Sequence, residues 1–284
     1  MNNKIISVSV LMVWLSLMSF SVFAQLGPQG YNPNSVRPIL EDDIMYRKTI
    51  WRKINLLEKQ NKPFFSNKNE ITQVILEAVE QRKVQPFVPT SDPRKSGFDD
   101  EDQMEYEECV QKLKSYYDPN FGDSVIIRPS ELYQVEIKED LVFDRRRSLM
   151  YWDIQSITIV MPQGTTPDTQ MGELPIATFR FKDLYDYFNE AYKASLEKGP
   201  TEDLRAFWYN PDNPKRHVSL SDAFDLRLFS SRIFKVANPD DNDIASIINN
   251  EYGADNPETA KKILYESQKI EYDLREFEHN LWEF

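Results

Sequence analysis

Cysteine, histidine and glycine are scarce in this chain: its 284 residues include one Cys, two His and eight Gly. The single thiol, Cys109, cannot close an internal disulfide, so stability rests on packing or association, with a small hydrophobe on a helix as its expected role. His217 and His279 lie far apart and neither has a metal-ligand partner at helical or turn spacing. Eight glycines supply no Gly-rich phosphate loop, and there is no G-x-S-x-G elbow. Positive charge is short too, with 34 Lys and Arg against 46 Asp and Glu and a formal charge of −12. Nonspecific nucleic-acid binding needs Lys and Arg to neutralise phosphates, and this balance excludes it as a general mode.

What is present is globular in character. Hydrophobic residues make up 40% and aromatic ones 13%, too many for a disordered chain. The first 24 residues stand apart. Lys4 precedes an apolar run from Ile5 to Phe23 broken only by serines, and Val22-Phe23-Ala24 offers small residues before Gln25. This is the pattern of a cleavable signal peptide over 1–24, with an uncleaved membrane anchor as the alternative. No cysteine lies at the junction to carry a lipid. Residues 25–42, with Gly27, Pro28, Gly30, Pro33 and Pro38, read as an extended arm able to order on a neighbouring subunit.

Periodicity organises residues 43–284 as a single α+β domain, helical over 43–118 and sheet-containing over 119–284. Ile50, Trp51, Ile54 and Leu57 fall on one face of a helix ended by Pro63. Asn67 with Glu70 reads as the cap of a second helix, striped by Ile71, Val74, Ile75, Ala78 and Val79. Residues 103–117 give a third. Asp99, Asp100, Glu101 and Asp102 are consecutive, without the alternate spacing and turn glycine of a calcium loop, and read as a solvated turn. Strands are signalled by Tyr133, Val135 and Ile137, by Trp152 to Met161, and by Leu174 to Phe181. Helices follow around Leu184 to Tyr192, at Ser219 to Phe229, after Asp240 to Asp243, and from Asn256 to Phe284, with Pro257 at the first position. The last carries a stripe of Ile263, Ile270, Leu274, Phe277 and Leu281. The expected fold is a small, mostly antiparallel sheet with helices on both sides, an extended N-terminal arm and a long C-terminal helix.

Three chemistries compete for such a chain. A carboxylate-dependent hydrolase needs two positioned acids, but carboxylates here are too abundant to nominate a pair by type. An exported glycan-binding module needs an aromatic platform, for which Phe207-Trp208-Tyr209 is the best local cluster. An interaction protein needs an anchoring patch, and "DRRRSLMYWDIQSITIV" at 144–160 supplies one: Arg145, Arg146 and Arg147 at the mouth of a strand in an acidic protein. Guanidinium groups pair with carboxylates bidentately, so these arginines either face water, pair within the chain, or meet a partner. No catalytic, cofactor or metal residue is nominated.

Longer strings carry a resemblance. The "WRKINLLEKQNKP" segment at 51–63, "IKEDLVFDRRRSLMYWDIQSI" at 137–157, "DAFDLRLFSSRIFKVANPDDNDIA" at 222–245 and the closing "EHNLWEF" at 278–284 resemble the GldN/PorN family in matching order. The likeness is densest over 131–161 and 204–284. Leu57 stands where the family's L-R-E-K-x-N string has an arginine. The resemblance implies an exported, non-enzymatic subunit of the Bacteroidetes gliding motility and type IX secretion machinery. It implies a periplasmic place under the outer membrane, in a self-associating ring with the lipoprotein GldK/PorK. It also implies a link to the GldL/GldM motor, through the periplasmic region of GldM, and carries no catalytic or cofactor residues.

Overall fold

The computed structural model describes residues 30–90, 97–118, 123–170, 172–197, 204–213, 215–253 and 256–280. The leader at 1–24, the first residues of the arm, and the closing string from Leu281 onward lie outside them.

The chain is α+β, built on an antiparallel sheet of six strands with a long helix at its C-terminal end. In chain order its elements begin with β1 (Ile44–Asn55), the β2–β3 hairpin (Phe65–Ser66, Asn69–Glu70), α1 (Ile71–Glu80), β4 (Pro86–Phe87) and α2 (Tyr106–Lys114). There follow the β5–β6 hairpin (Ser115–Asp118, Asp123–Ile126), β7 (Gln134–Asp144), β8 (Leu149–Met161), β9 (Leu174–Arg180) and α3 (Phe181–Glu197). The chain closes with β10 (Phe207–Trp208), β11 (Val218–Ser219), α4 (Leu220–Asp225), β12 (Arg232–Val236), α5 (Ile244–Tyr252) and α6 (Thr259–Asn280). The main sheet runs β12-β1-β7-β8-β9-β4.

The largest departure from the sequence pattern is β1. Residues 44–55 are a strand between β12 and β7, not a helix, so 43–118 is no separate helical part. The apolar residues mislead because an inner strand buries both faces: Ile50 and Ile54 point to one side and Trp51 to the other. Read by helical period, the same residues make a stripe. β12, to which the pattern assigns no element, pairs with β1 through a bulge at Trp51/Arg52 that places Phe234 and Lys235 toward one cleft.

Smaller shifts have local causes. Asn67 and Lys68 form the β2–β3 turn, with Lys68 at φ 64°, so α1 starts after Glu70 without a side-chain cap. α2 stops at Lys114 because Ser115–Asp118 pairs with Asp123–Ile126. α4 ends at Asp225, capped at its start by the Ser219 hydroxyl, and Arg227 at φ 50° turns Leu228 and Phe229 back to the core. At α6 the Asn256 side chain accepts from Glu258 N–H, and Pro257 lies in the turn before Thr259.

Both apolar cores lie on one face of the sheet, where the pattern had helices on two. Helices α1–α4 cover Ile54, Val135, Ile137, Ile157, Ile159 and Phe179. Helices α5 and α6 cover Ile50, Leu141 and Ile233 toward the other end of the strands. The opposite face carries Trp51, Lys53, Glu136, Lys138 and the bonded Thr158–Thr178 hydroxyls. Residues 30–43 are docked on their own chain. Asn32 donates to Gln155, Arg37 pairs with Asp225 at 2.8 Å, and Val36 packs against the larger core.

Candidate partner-binding surface

The three arginines sit on the turn joining β7 to β8, whose last pair is Asp144 with Leu149. The turn is built by the sequence around it. The buried Asp144 carboxylate accepts from Arg146 N–H at 2.8 Å and Arg147 N–H at 3.2 Å, an Asx-type cap, and Ser148 takes φ 51° to return the chain. Arg145 N–H donates to Asp43 carbonyl, tying the turn to the start of β1. With the backbone so occupied, all three side chains project to the surface.

Their intramolecular pairs are loose. Arg146 lies 3.5 Å from Asp43 and Arg147 3.6 Å from Asp144, yet the arginine side chains keep 74% and 65% of their exposure. Ion pairs of that kind contribute about 0 to 1 kcal/mol, too little to explain the cluster by folding. Exposed Met45 and Leu149 flank the same tip. Arginine beside apolar area is the composition of interface anchors.

Behind the turn runs a row of acids. Glu41 pairs with Arg47 at 2.7 Å, and Asp140 accepts from Thr49 at 2.7 Å with Arg47 3.7 Å away. Asp153, opposite Asp140 on β8, accepts from Ser35 of the arm and from Gln155. Burial pushes its carboxyl up to about 6 and the Asp140 charge adds to this, against the hydrogen bonds and Arg47. A folded value raised above the unfolded one adds stability that is present in acid and lost as pH rises through about 6. The arm clasp should therefore hold best below the ordinary carboxylate range and weaken as pH climbs through about 6. Raising pH from 5 to 7.5 should cost the fold on the order of 1 kcal/mol through this group. Thermal melts across that range should show the fall for wild type and a flatter profile for Asp153→Asn.

A second charged cluster was not apparent from the sequence. Arg52 and Glu139 form a buried ion pair, and Arg227 adds contacts to Glu139 at 2.8 and 3.2 Å. Both guanidinium carbons lie 4.8 Å from the centre of the Trp152 ring. Glu139 is fully buried and Arg52 nearly so, between the two apolar cores. Period-two reading would have found it, since Arg52 falls between Ile50 and Ile54 and Glu139 between Ile137 and Leu141. With Glu139 and Arg52 closed to solvent and Arg227 partly exposed, the cluster joins β1, β7, β8 and the turn after α4.

Residues 39–283 match the family described as "Gliding motility associated protein GldN". The chain belongs to the GldN family. It is thus a component of gliding motility and type IX secretion. No curated protein matches the sequence.

The features that favoured other chemistries have structural employment in this GldN-family chain. Phe207 and Tyr209 flank the His217 ring, with centroids at 4.7 and 4.9 Å, and Trp208 packs against the larger core. His217 accepts from Asn210 N–H through Nδ1, and burial lowers its pKa. Asp100–Asp102 is a single 3-10 turn, and no cluster of three metal-ligating side chains occurs among the described residues. Cys109 is buried on α2, with its thiol pushed up to about 12 by burial, and is inert to disulfide exchange while folded. No helix among the described residues is long and apolar enough to cross a membrane.

Proposed function

We propose that this chain is a structural subunit of a periplasmic ring of the type IX secretion and gliding machinery. It is exported by cleavage of residues 1–24 and held under the outer membrane by a GldK/PorK-type lipoprotein. Its second contact is with the periplasmic region of the GldL/GldM motor. The observation that carries this reading is the β7–β8 turn: on a chain of charge −12, its backbone is organised to present three arginines beside exposed Met45 and Leu149. Carboxylates of a partner protein are the matching chemistry, because an acidic molecule is repelled by anionic lipid.

Changing Arg145, Arg146 and Arg147 together to Gln tests it. The thermal transition of the isolated protein should stay within about 3 °C, since exposed pairs contribute little. Co-purification with the lipoprotein should fall, and high salt should mimic the change at a solvated rim. Unchanged co-purification would make the arginines plain solvated turn residues. A collapsed melting temperature would mean that they serve their own fold.

A further inference from the structure

Helix α6 is 22 residues long and turns Thr259, Ser267 and Leu274 to the body of the protein, with Ile263 and Ile270 packed beside them. The face pointing away is exposed throughout, yet it is not simply charged. Tyr265 and Tyr272, each 66% exposed, are two turns apart on one line. Lys261 and Glu276 extend that line at either end, and both are exposed.

The pattern is symmetric. About the midpoint between Gln268 and Lys269, Tyr265 mirrors Tyr272 in position, Lys261 mirrors Glu276, and Glu258 mirrors His279. A two-fold axis through that midpoint, between antiparallel helices, sets each residue against its mirror. Tyrosine then meets tyrosine, and lysine meets glutamate twice. A parallel arrangement would set Lys261 on Lys261 and Glu276 on Glu276. Charge complementarity thus selects both the occupant and its direction.

We infer that the outer face of α6 is an interface to a second copy of this chain, antiparallel and centred on Gln268–Lys269. Two helices about 33 Å long give an area at the lower end for a stable complex. The dimer is therefore weak, with a dissociation constant on the order of 10 μM. It requires neither the lipoprotein nor the arginine turn, so it stands or falls separately from the ring reading.

Sedimentation equilibrium of the purified protein, from about 1 to 200 μM, tests it. Wild type should pass from monomer to dimer. Lys261→Glu and Glu276→Lys should each weaken the dimer about tenfold, because symmetry doubles every change. Combining the two should restore affinity, as the swapped charges again oppose. A monomer throughout, a dimer indifferent to both reversals, or a double variant as weak as the singles would each overturn the proposal. Gln268→Cys provides a check free of charge reversal. Next to the axis it should form an intermolecular disulfide under mild oxidation, with buried Cys109 silent. Absence of that cross-link would also count against the interface.

Discussion

Glu139→Ala is expected to destabilise the protein by about 3 to 5 kcal/mol, enough to leave little of a typical domain's stability. The carboxylate is wholly buried and satisfies Arg52 and Arg227 together. Its removal leaves two guanidinium groups against Trp152. Glu271, 3.8 Å from Arg52, is one-third exposed and too distant to replace it. The loss comes from the uncompensated charge rather than from any net value of the cluster. Replacing Arg52 and Glu139 together by apolar residues should accordingly cost less than Glu139→Ala alone. Urea denaturation of the two variants measures the difference. A single-variant loss below about 1 kcal/mol would show that the arginines find other partners.

Leu274→Ala should cost about 2 to 5 kcal/mol, more than Phe277→Ala. Leu274 is buried against Ile50, Leu141, Ile233, Ile244 and Ile248. The sequence stripe gives Phe277 equal weight, but in the structure it is 37% exposed and lies tilted against Tyr46, with ring centroids 4.7 Å apart. Losing that aromatic pair is worth about 1 kcal/mol beyond a modest area term. Melting temperatures should therefore rank wild type, Phe277→Ala and Leu274→Ala in descending order. The reverse order would place the anchor of α6 at its end rather than its middle.

Legibility followed burial geometry. Surface helices such as α1, α3 and α6 bury one stripe, so their 3.6-residue period is visible in the chain. β7 and β8 were visible too: alternation is clean at the start of β7 and, apart from Gln155-Ser156, over Trp152 to Ile159 of β8, and "DRRRS" marks their turn. β1 was not, because an inner strand with Trp51 on one face and Ile50 and Ile54 on the other lacks alternation. β12 is only five residues long, with Arg232 and Lys235 interrupting its apolar positions. The arginine turn was legible because three like charges in a row are uncommon beside a strand. The Arg52–Glu139–Arg227 cluster was hidden by the same misreading that hid β1, since its partners lie 87 and 88 residues apart and meet only in the sheet.

The central claim is that the chain is a ring subunit held by an outer-membrane lipoprotein. Its most direct test is to mix the purified protein with a GldK/PorK-type lipoprotein and follow the mixture by sedimentation and electron microscopy. The account predicts closed, high-order particles containing both proteins. Two species sedimenting independently, with this chain instead retaining or turning over a soluble glycan, would contradict it.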